Sequence, residues 1–316
     1  MGKKLSRRDL LAAGGAAVGA GVAASWGAPQ TNTTTVKGGV MFRYCLNTST
    51  ISGQKLGLVQ QVEVTAKAGY NAIEPWIRDI DGYVKGRGKL VDLRKQISDL
   101  GLTVENAIGF AAWIVDNDEA RKKGLEQMKR DMDLVSQIGG KRVAAPPIGA
   151  TDQASLSLYK AADRYRALVE LGQEFGISPQ IEIWGGSKCL SKLGEAALVA
   201  VESGTKQACI LADVYHMYKG GTPFSGLRLL SGAMLQMIHM NDYPDDPARG
   251  RIQDSHRVYP GDGVAPLTEI LTDLAAVNSQ CVLSLELFNR DYWKLDALEA
   301  AKTGLKKMKA AVSKIA

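Results

Sequence analysis

A single (β/α)8 TIM barrel is the fold predicted by this sequence, on three observations. Strand-like and helix-like segments alternate eight times, the pattern of parallel βα units, and eight such units favour closure into a barrel. Glycines mark helix ends just before strands, at Gly69, Gly101, Gly139-Gly140 and Gly176. After the N-terminal segment, about 280 residues run without a Pro/Gly/Ser-rich break, which suits one large domain. An open, doubly wound sheet is the alternative.

Residues 1–26 read as an address rather than as part of the fold. Lys3, Lys4, Arg7 and Arg8 precede a Leu/Ala/Gly/Val run from Leu10 to Ala24, and Ser6-Arg7-Arg8-Asp9-Leu10-Leu11 reads as a twin-arginine export signal. The run is about 15 residues, shorter than the ~20 that span a bilayer. Cleavage near Ala24 or Ser25 fits the small-residue rule, and a membrane tether results if the signal is not cleaved. Residues 27–37, with Asn32 and three threonines, form a polar linker to the barrel at 38–316. The expectation is export to the periplasm through the twin-arginine translocase, with metal loaded before the folded chain crosses.

The first strands are expected at Val40–Leu46, Ala72–Pro75, Val104–Ala107 and Arg142–Ala145, and the last four around Glu182, Asp213, His239 and Glu286. Helical patterns lie at Leu56–Ala68, Leu90–Leu100, Glu119–Ile138, Leu193–Val201, Phe224–Leu230, Pro266–Ala276 and Leu295–Ile315. Of the net charge of +6, half belongs to the N-terminal signal. Lys306, Lys307, Lys309 and Lys314 fall at helical spacing near the C-terminus, as on a solvated helix, so nucleic acid is not an expected partner. Cys45, Cys189, Cys209 and Cys281 show no metal-ribbon or CxxC spacing and read as buried thiols.

Function is argued from four apolar runs in the second half. Ile181-Glu182-Ile183-Trp184, Ile210-Leu211-Ala212-Asp213, Met237-Ile238-His239-Met240 and Leu283-Ser284-Leu285-Glu286 each carry a residue able to bind a divalent metal. The intervals are 31, 26 and 47 residues, close to one βα unit or a little more. A carboxylate inside an apolar strand is costly to bury unless its charge is compensated. One divalent ion held by Glu182, Asp213, His239 and Glu286 would compensate it; oxygen-rich sets of this kind suit Mn, Mg, Co or Zn, with Mn favoured here. In a barrel these residues stand at the C-terminal ends of consecutive strands and converge on one mouth.

The ordered Glu–Asp–His–Glu set, Asp213-Val214-Tyr215-His216, Gly69-Tyr70-Asn71-Ala72-Ile73-Glu74 and Pro260-Gly261-Asp262-Gly263 together resemble the xylose isomerase-like barrel superfamily. The likeness is to its sugar phosphate isomerase/epimerase group and spans roughly Val40 to Ile315. The resemblance implies that Glu182 and Glu286 act as the catalytic pair. His216 would contact substrate hydroxyls, and Glu74 would stand at the mouth. Family epimerases usually carry an Arg six residues after the metal histidine, where this chain has Asp245. Arg249, Arg251 and Arg257 lie in the same loop and the sequence does not choose among them; Arg251 is taken as the substrate contact. The segment from Asn241 to Tyr259 reads as a lid or rim loop. Trp184, Trp113 and Trp293 are candidates for an apolar wall against a sugar ring.

The chemistry expected is proton abstraction beside a carbonyl, through an enediolate, by an isomerase or epimerase of an unphosphorylated sugar or polyol ketone. A lyase or dehydratase of a keto-glycoside or inosose, and a non-catalytic sugar-binding barrel, are the other readings. A nuclease of the same superfamily is disfavoured, since its metal site needs many histidines and the chain has three. No helical seam decides whether the chain forms a homo-oligomer.

Overall fold

The computed structural model describes residues 42–278 and 280–315; the twin-arginine signal, the linker and the first residues of the expected first strand lie outside them. Among the described residues, eight parallel strands form one sheet. They are β1 (Arg43–Asn47), β2 (Ala72–Glu74), β3 (Thr103–Val104), β4 (Arg142–Ala145), β5 (Ser178–Glu182), β6 (Cys209–Asp213), β7 (Met237–Met240) and β8 (Val282–Leu285). Their order is β3-β2-β1-β8-β7-β6-β5-β4, so the first and last strands lie side by side. β3 is too short to form a ladder with β4. Beyond its end Ala107 N donates to Arg142 O at 3.1 Å and Ala144 N donates to Ala107 O at 2.9 Å, joining the two strands.

The helices are α1 (Leu58–Ala68), α2 (Ile77–Lys85), α3 (Leu90–Asp99), α4 (Asp118–Gln137), α5 (Leu158–Phe175), α6 (Leu193–Glu202), α7 (Val214–Gly220), α8 (Leu267–Val277) and α9 (Ala297–Val312). Caps set several of their starts. Asn117 accepts from Ala120 N, Ser157 from Lys160 N, and Asp296 from Leu298 N and Glu299 N. α2 and α7 are absent from the expected elements, and α5 is marked in the sequence only by its stop at Gly176. The helix expected at 224–230 is a 3-10 turn, Phe224–Leu229, since Pro223 precedes it and Gly226 interrupts it. α9 seats closely on β8: a Cβ at Gly304 would fall 2.1 Å from Leu285 Cδ2. All four cysteines are free and buried.

Most of the core lies between sheet and helices, and a smaller cluster fills the barrel: Cys45, Ala72, Trp76, Ile108, Ala144, Leu211, Met237 and Val282. Side chains two apart on a strand share a face. Two residues beyond five of these positions the inward face turns polar, at Asn47, Glu74, Asp213, His239 and Ser284. Glu182 and Glu286 continue that row on β5 and just past β8. Register aligns it, with Asn47 beside Glu74, Asp213 beside His239, and His239 beside Ser284. One layer of the pleat is therefore hydrophobic and the next carries the chemistry.

The opposite end of the barrel is held by charge. Glu105, 1% exposed, accepts from Arg43 at the start of β1, from Arg142 Nη1 at the start of β4 (3.1 Å) and from Lys141 Nζ (2.8 Å). The network spans the seam that lacks a ladder. Burial alone would raise the Glu105 carboxyl, but Lys141, Thr103 and Arg43 outweigh it and hold it at about 2. With the folded value below the unfolded one, its contribution is present above the unfolded pKa and is lost as pH falls towards 2. Glu105→Gln should therefore destabilise the barrel by about 2 kcal/mol at pH 7. The gap should shrink steadily below pH 4, as read from urea unfolding at a series of pH values.

Candidate active site

Asp213 ends β6 and also caps α7: its Oδ1 accepts from His216 N at 2.8 Å. The Asp-x-x-His spacing follows from this cap. A carboxylate at the cap position satisfies the backbone amide three residues on, which fixes His216 one turn into the mouth. Asn241 braces the same aspartate, donating from Nδ2 at 3.3 Å while its Oδ1 accepts from Tyr215 N at 2.8 Å. The other oxygen, Oδ2, faces His239 Nδ1 at 3.5 Å, and Glu286 Oε2 faces the same nitrogen at 3.1 Å.

Glu74 holds the far side of that imidazole. Its Oε1 meets His239 Nε2 at 3.0 Å and accepts from Asn106 Nδ2 at 2.7 Å; Oε2 accepts from Asn47 Nδ2 at 2.9 Å and Ser284 Oγ at 2.6 Å. Glu74 is fully buried with both oxygens occupied, so it orients the histidine rather than contacting substrate. Burial would raise its carboxyl, but His239 brings it below the usual value. Burial would lower His239, and the charges of Glu286 and Glu74 overcome that and raise it well above the ordinary imidazole value.

Asp213, His239 and Glu286 offer ligand atoms that all lie within 4.8 Å of one another, and all three are buried. Glu182 enters from β5, outside that trio but close enough to feel the charges of Glu286 and Asp213. Burial first, then those charges, push its carboxyl up to about 8. Its Oε2 is a buried atom with no hydrogen-bond partner, and His239 Nδ1 faces two carboxylate oxygens without an aligned hydrogen bond to either. Unpartnered donor atoms among clustered carboxylates fit a hard divalent cation, with Glu74 as the outer carboxylate that orients the ligand histidine.

The guanidinium at this site belongs to Arg257, not Arg251. Arg251 is exposed and does not line the cavity, although its neighbours Ile252 and Gln253 do. Arg257 is 1% exposed and donates from Nη1 to Glu286 Oε2 at 2.7 Å and Asp213 Oδ2 at 2.9 Å. Its plane lies over Tyr215 and Phe288, 4.4 and 5.0 Å from their centroids. Burial would raise Asp213, but Arg257 outweighs it and holds the carboxyl well below the usual range. Arg257 Nη2 also meets His216 Nε2 at 3.0 Å, and Gly185 N points at His216 Nδ1 at 3.3 Å. Burial lowers His216, and a neutral ring accepts at one nitrogen only, so the shorter contact with the charged donor prevails. Gly185 is needed for this approach: a Cβ there would sit 2.3 Å from His216 O.

The segment 241–259 is a pinned rim. Lys219 Nζ donates to the carbonyls of Arg249, Gly250 and Ile252, Tyr215 Oη donates to Ile252 O, and Asp242 pairs with Val258. Asp242 also explains the Pro260-Gly261-Asp262-Gly263 element: its carboxylate accepts from Gly261 N, Gly263 N and Ala265 N. Above the cluster opens a cavity of about 700 Å³ lined by Glu182, Glu286, His216, Arg257 and an aromatic wall that includes Trp184 and Trp293. Trp113 is fully buried, donates to Pro146 O and packs on Tyr165, away from the cavity. Arg257, Asn47, Ser284, Phe110 and Phe288 are site residues that the sequence pattern does not single out. Asn47 and Ser284 were detectable as polar residues on an inward strand face.

The sequence pattern of the xylose isomerase-like TIM barrel matches residues 62–311. Inosose isomerase of Bacillus velezensis is 28% identical over 284 residues, which cover 86% of this chain and 98% of the relative. The 3-dehydro-D-guloside 4-epimerase of Escherichia coli K12 is 24% identical over 204 residues, 60% of this chain and 73% of the relative. Among solved structures, that of the IolI protein with a bound zinc atom superposes with a TM-score of 0.81 at 23% identity, over 87% of this chain and 99% of that one. Such relatives indicate an enzyme of the isomerase or epimerase type. The chain belongs to the xylose isomerase-like TIM barrel family.

Proposed function

We propose that this chain is a divalent-metal-dependent isomerase or epimerase of an unphosphorylated sugar or polyol ketone, working through an enediolate. The observation that carries this reading is the pair Glu182 and Glu286. They line the floor of one cavity from the ends of β5 and β8, 4% and 3% exposed, beside the Asp213–His239–Glu286 cluster. Asp213, His239, Glu286 and Glu182 are the residues to hold the metal, with Mn favoured. When bound, such an ion supplies a charge that polarises the substrate carbonyl and offsets the negative charge developing on its oxygen.

The chain's own residues do the rest. Glu182 keeps Oε2 free of any partner, as a group that exchanges a proton with a substrate carbon must. Glu286 reaches the same floor from another strand, with Oε2 held by Arg257 and Oε1 accepting from Asn47 at 3.1 Å. Two carboxyl groups approaching from different strands let one remove the proton and the other return it. His216 and Arg257 line the same cavity and bound the space that substrate hydroxyls would occupy. An unphosphorylated substrate is favoured because two of the three Lys and Arg residues lining the cavity are committed: the protons of Lys219 go to backbone carbonyls and those of Arg257 Nη1 and Nη2 to neighbouring side chains, which leaves the exposed Arg290. The proposed export rests on the motif Ser6-Arg7-Arg8-Asp9-Leu10-Leu11 and the apolar run behind it; replacing Arg7 and Arg8 with lysine should leave the precursor in the cytoplasm.

Elemental analysis of the purified protein should find about one equivalent of a divalent metal, lost in Asp213→Ala; no metal in either, even after reloading, would remove the mechanism. Glu182→Gln should slow deuterium exchange from D2O into an inosose by about a thousandfold while retaining most of the metal. Parallel loss of exchange and metal would deny Glu182 its role as base. Net elimination of water in the same assay would move the assignment to a dehydratase.

A further inference from the structure

Four aromatic rings form a continuous wall in the cavity. Phe288 lies 6.2 Å from Trp76, Trp76 lies 5.3 Å from Phe110, and Phe110 lies 6.2 Å from Trp184, centroid to centroid. The wall rises from floor to rim: Trp76 is 8% exposed and Phe110 is 37% exposed. One sugar ring at the glutamate pair can cover one such face. It leaves Phe110 and Trp184 open to water, an arrangement that marks a contact surface. Volume gives the same result. At about 30 Å³ per water the 700 Å³ cavity holds roughly twenty water-sized groups, about twice what a hexose with its hydroxyls fills.

The outer half is lined chiefly by neutral polar groups. Thr151, Ser187, Gln253 and Ser255 supply hydroxyls and an amide; Asp254 is paired with Arg257, the protons of Lys219 are already committed, and Arg290 is an exposed cation on the lining. We propose that the substrate is a keto-glycoside, with its ketone-bearing ring over Glu182 and Glu286 and a second, neutral ring seated on Phe110 and Trp184. Resting on the proposed function, this places the reacting ring and adds an outer subsite. The second ring is a sugar or an aromatic aglycone; both present an apolar face to the wall.

The test is calorimetric titration of the metal-loaded protein with methyl, phenyl and glucosyl 3-keto-β-glucosides. The phenyl or the glucosyl compound should bind roughly tenfold more tightly than the methyl one, and whichever gains names the second ring. Phe110→Ala, at a half-open position where folding is not at stake, should bring that ratio close to one, and Trp184→Ala should lower it. Equal affinity for all three compounds overturns the proposal, as does a ratio that Phe110→Ala leaves unchanged. Absence of binding by all three, with proton exchange on an inosose intact, overturns it as well. Loss of proton exchange with the affinity ratio preserved sinks the isomerase chemistry and leaves the subsite standing.

Discussion

Burying several carboxylates at one end of a hydrophobic barrel is the constraint on which the rest of the structure depends. Glu74, Glu182, Asp213 and Glu286 are each at most 4% exposed. An uncompensated buried charge is among the most costly things a fold can contain. The surrounding residues answer this one atom at a time. Glu74 takes four donors, Asp213 takes a helix amide, Asn241 and Arg257, and Glu286 takes Arg257 and Asn47. Among the oxygens of these four carboxylates, Glu182 Oε2 is a buried atom left without a partner, beside the unpartnered Asn106 Oδ1, His239 Nδ1 and Arg257 Nε. Compensation is thus least complete at Glu182, the residue proposed to exchange the proton.

Much of this was legible in the sequence because it obeys a period. A strand shows its inward face at every second residue, so a carboxylate or imidazole two places beyond an apolar inward residue is visible without coordinates. Asp213 and His239 share that signature, following Leu211 and Met237, while Glu182 and Glu286 follow the polar Gln180 and Ser284 on the same inward face; the structure sets all four at one mouth. Glu74 shares it too, yet its role was misread, since position on the inward face does not reveal which neighbours fill a side chain's oxygens. What the sequence hides is whatever arrives by loop. Arg257 lies 18 residues past His239 in a segment without periodicity, and nothing local separates it from Arg249 and Arg251. Lys219, pinning the rim through three carbonyls, distinguishes them only in three dimensions. α2 escaped notice for a related reason: its nine residues follow β2 after two residues, and Ile77 and Ile80 are its only buried positions.

The same division separates the reaction from its substrate. Residues proposed to move protons and hold a metal sit on strands, whose register fixes them to each other through backbone ladders. Relatives at 28% and 24% identity retain a match to this chain over much of their length, as expected if a few inward positions and the packing beneath them carry the reaction. The aromatic wall is built otherwise. Trp76 follows β2, Phe110 follows β3, Trp184 follows β5 and Phe288 follows β8; Trp76 also belongs to the barrel core, whereas Phe110 and Trp184 stand in βα loops, where change costs the barrel little. A barrel of this family can therefore keep one proton-transfer site and change what it accepts by resetting a few loop residues. In this chain those residues are aromatic and aligned, and two of them, Phe110 and Trp184, are partly open to water and beyond the reach of a single ring proposed to bind at the glutamates.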